Sequence, residues 1–328
     1  MNLDTYGFRE PPFQMTPDAR LFFPSTVHNR AYAHLLYGLS QREGFIVVTG
    51  EVGAGKTTLI ERLCAEIVPR GHAIARVMTT QVQPEDLLRL VAVAFGAPAS
   101  GNKAEILRSI VAKLWDGISE RGLHHVLIVD EAQALPVPAL EELRMLSNVT
   151  EGSRALMQVI LMGQPQLRRT LARQDLDQLR QRVLAAYHLG GLTREETHAY
   201  IRHRMAAVGW TGHPTWDDAA LDAVFHNTAG IPRRINRLCS RILLSGSLEQ
   251  CTVLTAELAE ATAMELEQDL SEIVSEAEPP PEVLGLEAAI RDLADRITNL
   301  ERVSAGRERV FRRIQALMDN TMPERAQS

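Results

Sequence analysis

Short apolar runs alternate with amphipathic stretches of helical period through residues 44–189, and then the alternation stops. Residues 44–50 (GFIVVTG) are a β-branched run ending at glycine, which predicts a buried strand. Residues 72–80 and 157–162 repeat that signal, and 185–189 gives a shorter one. Residues 125–130 (HVLIVD) are continuously apolar until the terminal acid, as in a strand covered on both faces. Helical periods occupy 57–68, 84–95, 103–119 and 138–146. Strands separated by helices predict a five-stranded parallel sheet between helical layers, an αβα sandwich of the α/β class. After Gly191 only helical periods remain, at 193–208, 216–227, 232–246 and 255–269, each opened by Thr, Pro or an acidic residue. This predicts a small all-helical second domain without strands.

The expected organisation is an N-terminal arm at 1–24, the αβα domain at 25–191 and a helical lid at 192–272. A proline-rich acidic linker, containing SEAEPPPE, is expected at 273–283. From 284 to 320 the positions Leu286, Ile290, Leu293, Ile297 and Leu300 keep steps of four and three. The register then meets Ser304 and Arg307 before Phe311, Ile314 and Met318 resume it. A short coiled coil and a single amphipathic helix folded back on the body both fit this pattern.

Composition narrows the setting. Of 328 residues, 45% are hydrophobic and 23% charged, the balance of a globular chain. The net charge of −6 supplies no whole-chain attraction to nucleic acid or anionic membrane, although a local basic patch stays open. Cys64, Cys239 and Cys251 are scattered and form no CxxC pair, which argues against a disulfide framework or zinc site. The first residues show no basic segment followed by an apolar one, and no apolar run reaches the length of about 18 residues needed to span a membrane. A cytoplasmic location is expected. Only Lys56, Lys103 and Lys113 are lysines, so Lys56 in a glycine-rich loop stands out from an otherwise arginine-based positive charge.

That loop is Gly50-Glu51-Val52-Gly53-Ala54-Gly55-Lys56-Thr57, a match to GxxxxGK(S/T) between a predicted strand and a predicted helix. Glycines let the backbone wrap phosphates with its N–H groups at a helix N-terminus. Lys56 is expected on the β- and γ-phosphates and the Thr57 hydroxyl on Mg²⁺, while Thr58 can approach the α-phosphate. About seventy residues later, VLIVDEAQ ends a buried strand in two acids. Asp130 is expected to hold Mg²⁺ through water, and Glu131 to polarise the attacking water. Gln164, after the fourth strand, should emerge at the carboxyl edge beside the γ-phosphate. Arg180 and Arg182 precede the fifth strand, and Arg233 and Arg234 open a helix of the second domain. Arginine suits transition-state charge because its fork stays protonated. The histidines, including His124 and His125, show no ligand spacing and are read as structural.

In combination, the P-loop, VLIVDEAQ, LMGQPQL, LRQRV, YHLGGLTREET and GIPRRINRLC resemble the AAA+ ATPases of the general secretion pathway protein A type over residues 3–270. The stretches YGFREPPFQMTPD and EGFIVVTGEVGAGKTTL look especially like the ATPase encoded with exosortase, PEP-CTERM and exopolysaccharide loci. The resemblance implies an ATP hydrolase using ATP and Mg²⁺, with Lys56 and Thr57 as Walker A ligands and Asp130 and Glu131 as the Walker B pair. It implies sensor 1 at Gln164, sensor 2 at Arg233, and an arginine finger at Arg182, with Arg180 as the alternative, acting on a neighbouring subunit. A homo-oligomer and a protein partner in an envelope export or polysaccharide system are therefore expected, with peripheral recruitment to the inner membrane by that partner. A DNA-binding ATPase of the transposition-regulator type and a nucleotide-gated scaffold with little turnover are the alternative expectations. Tyr6, Phe8 and Phe13 belong to the resembling signature, either walling the adenine pocket or packing an extended arm on the core.

Overall fold

A computed structural model describes residues 6–14, 21–78, 83–152 and 154–276. Five parallel strands form the sheet: β1 (Phe45–Gly50), β2 (His72–Met78), β3 (His124–Asp130), β4 (Met157–Gly163) and β5 (Val183–Leu189), in the order β2-β3-β4-β1-β5. The parallel αβα sandwich predicted above is the observed fold. Alternate side chains of the central strands enter two separate cores. Phe45, Val47, Leu127, Val129, Val159 and Leu161 face helices α3 (Pro84–Phe95), α4 (Lys103–Arg121) and α5 (Val137–Ser147). Ile46, Val48, Val126, Ile128, Ile160 and Met162 face α1 (Thr26–Ser40) and α2 (Lys56–Ile67). Because both of their faces are covered, the central strands β1, β3 and β4 carry no polar alternation, which is why they read as apolar runs.

Two short helices, α6 (Gln166–Leu171) and α7 (Asp177–Arg180), lead from β4 to β5. The helical unit follows: α8 (Arg194–Ala207), α9 (Asp218–Thr228), α10 (Pro232–Leu248) and α11 (Ala256–Glu276). Asn102 and Glu105 close a capping box at α4, and Thr193 and Glu196 close one at α8. Glu196 does a second job: its Oε1 accepts from the Thr26 backbone N–H at 2.6 Å and from the Thr26 hydroxyl at 2.7 Å. One carboxylate thus ties the start of α8 to the start of α1.

Several features depart from expectation. Helix α1 is absent from the predicted elements, because its buried stripe of His28, Ala31, Tyr32, Leu35, Gly38 and Leu39 includes a histidine and a glycine that an apolar count omits. The unit after Gly191 is not free of strand: Thr215–Trp216 pairs in parallel with Val253–Leu254. A two-residue hairpin, Thr150–Glu151 against Arg154–Ala155, precedes β4. Helix α11 continues to Glu276, four residues into the segment expected as linker. The rest of that linker and the helix expected at 284–320 lie outside the described residues. Among the described residues no helix is long and apolar enough to cross a membrane.

The arm takes a definite position. Tyr6, Phe8 and Phe13 are 7%, 6% and 2% exposed and share one apolar core with Tyr200, Ile201, Met205, Leu238 and Ile242 of the helical unit. Arg204 of α8 donates to the carbonyls of Pro12 (2.7 Å) and Gln14 (3.1 Å), and the Tyr6 hydroxyl donates to that of Cys251 (3.2 Å). Of the two expectations for these aromatics, packing is what the geometry matches: their rings are spent in the helical core.

Candidate functional site

The site is assembled where β1, β3 and β4 end. Strand β1 delivers Gly50, and the loop Glu51–Gly55 turns into α2 with Gly53 at φ 83° and Gly55 at φ 96°. These left-handed values favour glycine and let the loop double back at the helix N-terminus. Glu51 and Val52 lie exposed at the loop's outer side, Ala54 is buried, and Thr57 is exposed in the first turn of α2 with Thr58 partly covered beside it. Lys56 is buried, its Nζ donating to the carbonyls of Gly50 (2.7 Å) and Glu51 (3.1 Å). Burial lowers the Lys56 ammonium pKa, against the opposing pull of Glu131, Asp130 and Glu51. The carboxylates at the end of β3 thus act electrostatically on the P-loop lysine.

At the end of β3, Asp130 Oδ1 accepts the Glu131 N–H at 2.9 Å. Glu131 then turns with φ 52°. Its Oε2 accepts from the side-chain amides of Gln133 and, at 3.3 Å, of Gln164. Gln164 follows the last residue of β4, so the acid and the sensor candidate meet although 33 residues separate them. Arg233, at the start of α10, donates its backbone N–H to the Gly53 carbonyl at 3.2 Å. A Cβ built on Gly53 would lie 2.1 Å from the Arg233 Cβ, so the lid helix and the P-loop touch directly.

Arg180 and Arg182 are not brought to this place. Phe45, the first residue of β1, donates its N–H to the Arg182 carbonyl at 2.9 Å. Strand β1 then runs six residues before the P-loop begins, roughly 15–20 Å away. Arg180 is exposed on the same side, paired with Asp177 at 2.7 Å.

His28 shows no ligand spacing in the sequence, yet the fold brings it to the site. It is buried under the P-loop, with Nδ1 2.7 Å from the Ser25 hydroxyl and Nε2 so close that a Cβ on Gly55 would come within 2.4 Å. Burial lowers its pKa, opposed by a backbone hydrogen bond at Ala54 and by Glu196. Its only sequence signal was its place in the α1 stripe.

The donor set suits a nucleotide carrying its own metal. Among the described residues no group of three or more His, Cys, Asp and Glu could hold an ion unaided. Mg²⁺ normally keeps waters and binds through one or two protein oxygens plus substrate phosphates, for which Thr57 and Asp130 suffice.

A model of the AAA domain matches residues 39–171. Over 241 residues, 73% of this chain, the sequence is 36% identical to general secretion pathway protein A of Aeromonas hydrophila, of whose length the chain spans 44%. Cdc6p from Pyrobaculum aerophilum matches with a TM-score of 0.58 at 14% identity, over 77% of this chain and 70% of that one. The ADP form of the Aeropyrum pernix ORC2 protein gives 0.57 at 17% identity, over 79% and 73%. At such identities these two structures speak for the fold. The AAA-domain match thus runs through the P-loop and β3, and the sheet of order β2-β3-β4-β1-β5 has the AAA+ P-loop fold.

Proposed function

We propose that this protein is an ATP hydrolase whose site is completed by a second copy of the chain. The observation carrying the reading is a division of charge. Lys56, Asp130, Glu131, Gln164 and the start of the Arg233 helix gather around one loop, while Arg180 and Arg182 sit at the opposite edge of the sheet. An arginine fork at that edge is out of reach of its own phosphates; Arg180 is held by Asp177, and Arg182 is the better placed to serve a neighbour's.

In this reading the P-loop N–H groups hold the phosphates and Lys56 leaves the Gly50 and Glu51 carbonyls for the β- and γ-oxygens. Mg²⁺, held by Thr57 and Asp130, would supply charge neutralisation between those phosphates. Glu131 takes a proton from the attacking water as its oxygen bonds to the γ-phosphorus and the bond to the ADP oxygen breaks. Gln164 orients the γ-phosphate, Arg233 reports it to the lid, and Arg182 of a neighbour, or Arg180 in its place, stabilises the developing charge. We further propose that turnover drives a partner in an envelope secretion or exopolysaccharide system, to which the protein is recruited from the cytoplasmic side of the inner membrane. The similarity to general secretion pathway protein A supports that direction. The narrower exosortase and PEP-CTERM setting rests on the resemblance of the arm and P-loop segments alone.

ATP binding, turnover and oligomer size measured together test this. Lys56→Ala is expected to abolish ATP binding. Glu131→Gln should bind ATP and not turn it over. Arg182→Ala should lower turnover by on the order of 10³-fold, and it should donate an intact catalytic site when mixed with Glu131→Gln. Turnover by Glu131→Gln at the unmutated rate would remove the base assignment, and full activity in a strict monomer would remove the shared site.

A further inference from the structure

The proposed mechanism has no part for Gln133, yet this side chain joins two pieces of the site. Its Nε2 donates to Glu131 Oε2, and its Oε1 accepts the backbone N–H of Gln164 at 2.9 Å. The amide orientation follows from chemistry: a backbone N–H can only donate, so the carboxamide oxygen faces Gln164 and the NH₂ is left for the carboxylate. The arrangement is local in sequence on one side and distant on the other. Glu131 turns with φ 52° and the 3-10 turn Ala132–Ala134 follows, while Gln164 arrives from the end of β4. Space for it depends on Gly163, where a Cβ would lie 2.7 Å from Gln133 Oε1.

We infer that Gln133 is a positioning residue for ATP hydrolysis, fixing the aim of the Glu131 carboxylate and tying it to the loop that follows β4. The inference rests on the reading of Glu131 as the base. A carboxylate on a freely rotating side chain divides its time among rotamers, whereas one gripped by two amide donors, from Gln133 and Gln164, keeps one direction. Misplacing a reacting group by about 1 Å can cost on the order of 10²-fold in rate. Gln133 touches neither the P-loop lysine nor the lid contact at Gly53 in any hydrogen bond described above, so its loss should act on the chemical step and spare binding.

The test uses the full chain with saturating ATP and Mg²⁺, comparing the unmutated protein, Glu131→Gln, Gln133→Ala and Gln133→Glu. Gln133→Ala should lower kcat by about 10–100-fold with the Kd for ATP within about twofold. Gln133→Glu has the same shape but no N–H donor, and it sets a second carboxylate beside Glu131. It should be at least as impaired as the alanine variant. A side chain that merely filled space would give the reverse order, with the glutamate close to unmutated activity. If the unmutated chain fails to hydrolyse ATP, the proposed function falls and this inference with it. If the unmutated chain turns over and Glu131→Gln does not, three results overturn the inference alone: Gln133→Ala within twofold in kcat, ATP affinity lost in parallel with kcat, or an active Gln133→Glu.

Discussion

Gly53 and Gly71 separate two reasons for a glycine. Both take positive φ, 83° and 84°, but a Cβ on Gly71 meets nothing within 4 Å, whereas one on Gly53 would lie 2.1 Å from the Arg233 Cβ. A non-glycine residue in such a conformation costs about 1–3 kcal/mol by strain alone. Gly71→Ala should therefore lower stability by that amount and leave ATP affinity unchanged. Gly53→Ala must in addition push α10 off the P-loop, and it should weaken ATP binding by at least about tenfold, the equivalent of 1.4 kcal/mol. Nucleotide titration beside thermal unfolding distinguishes them, and equal effects on affinity would mean that the lid contact contributes nothing to the site.

At the scale of elements, the arm and the helical unit are one packed body. Residues 6–14 supply three aromatic rings to its core and receive the Arg204 guanidinium on two carbonyls. Arg204 is itself 6% exposed, so removing the arm would leave a buried charge short of acceptors as well as exposing apolar surface. Phe13, at 2% exposure, is among the largest fully buried side chains. Phe13→Ala should cost about 3–5 kcal/mol in urea unfolding. A loss below about 1 kcal/mol would show that the arm only rests on the helices. Glu196 gives this body a second tie, to Thr26 of α1, and α1 carries His28 beneath the P-loop. Glu196 thus connects α8 to the helix whose His28 lies beneath the P-loop.

For the whole molecule, four imidazoles covered wholly or in part by the fold weaken it in acid. His28, His72, His124 and His125 all have pKa values lowered first by burial, and His124 reaches about 4 from 6.5. His72 and His124 face each other on neighbouring strands, ring centroids 5.2 Å apart, so a charge on one opposes a charge on the other. The folded pKa lies below the unfolded one, so the unfolded chain takes up protons first. Stability from these groups is complete above about pH 6.5 and is lost as pH falls towards 4. His124 alone should account for on the order of 2 kcal/mol by pH 5. The urea midpoint should drop between pH 7 and 5, and His124→Gln should flatten that drop. An unchanged midpoint would mean these rings are hydrated enough to charge without cost.

The chain read residue by residue announces the parallel αβα sheet, the P-loop and the acidic end of β3. Those signals are local: an apolar run buried on both faces, a glycine spacing, two acids after a strand. It also bounded most helices to within a few residues, because their periods persist over several turns. It did not disclose α1, whose buried face is built partly of His28 and Gly38, nor the strand pair at Thr215–Trp216 and Val253–Leu254, too short to leave a period. Which elements meet is settled by folding in three dimensions. The arm's aromatics go to the helical unit, Arg233 reaches Gly53, and Gln133 bridges Glu131 to Gln164. These pairings join residues from separate elements through side-chain packing and hydrogen bonds across the sheet edge. Periodicity and spacing describe a chain only against its own neighbours, so contacts of this kind leave no trace in them.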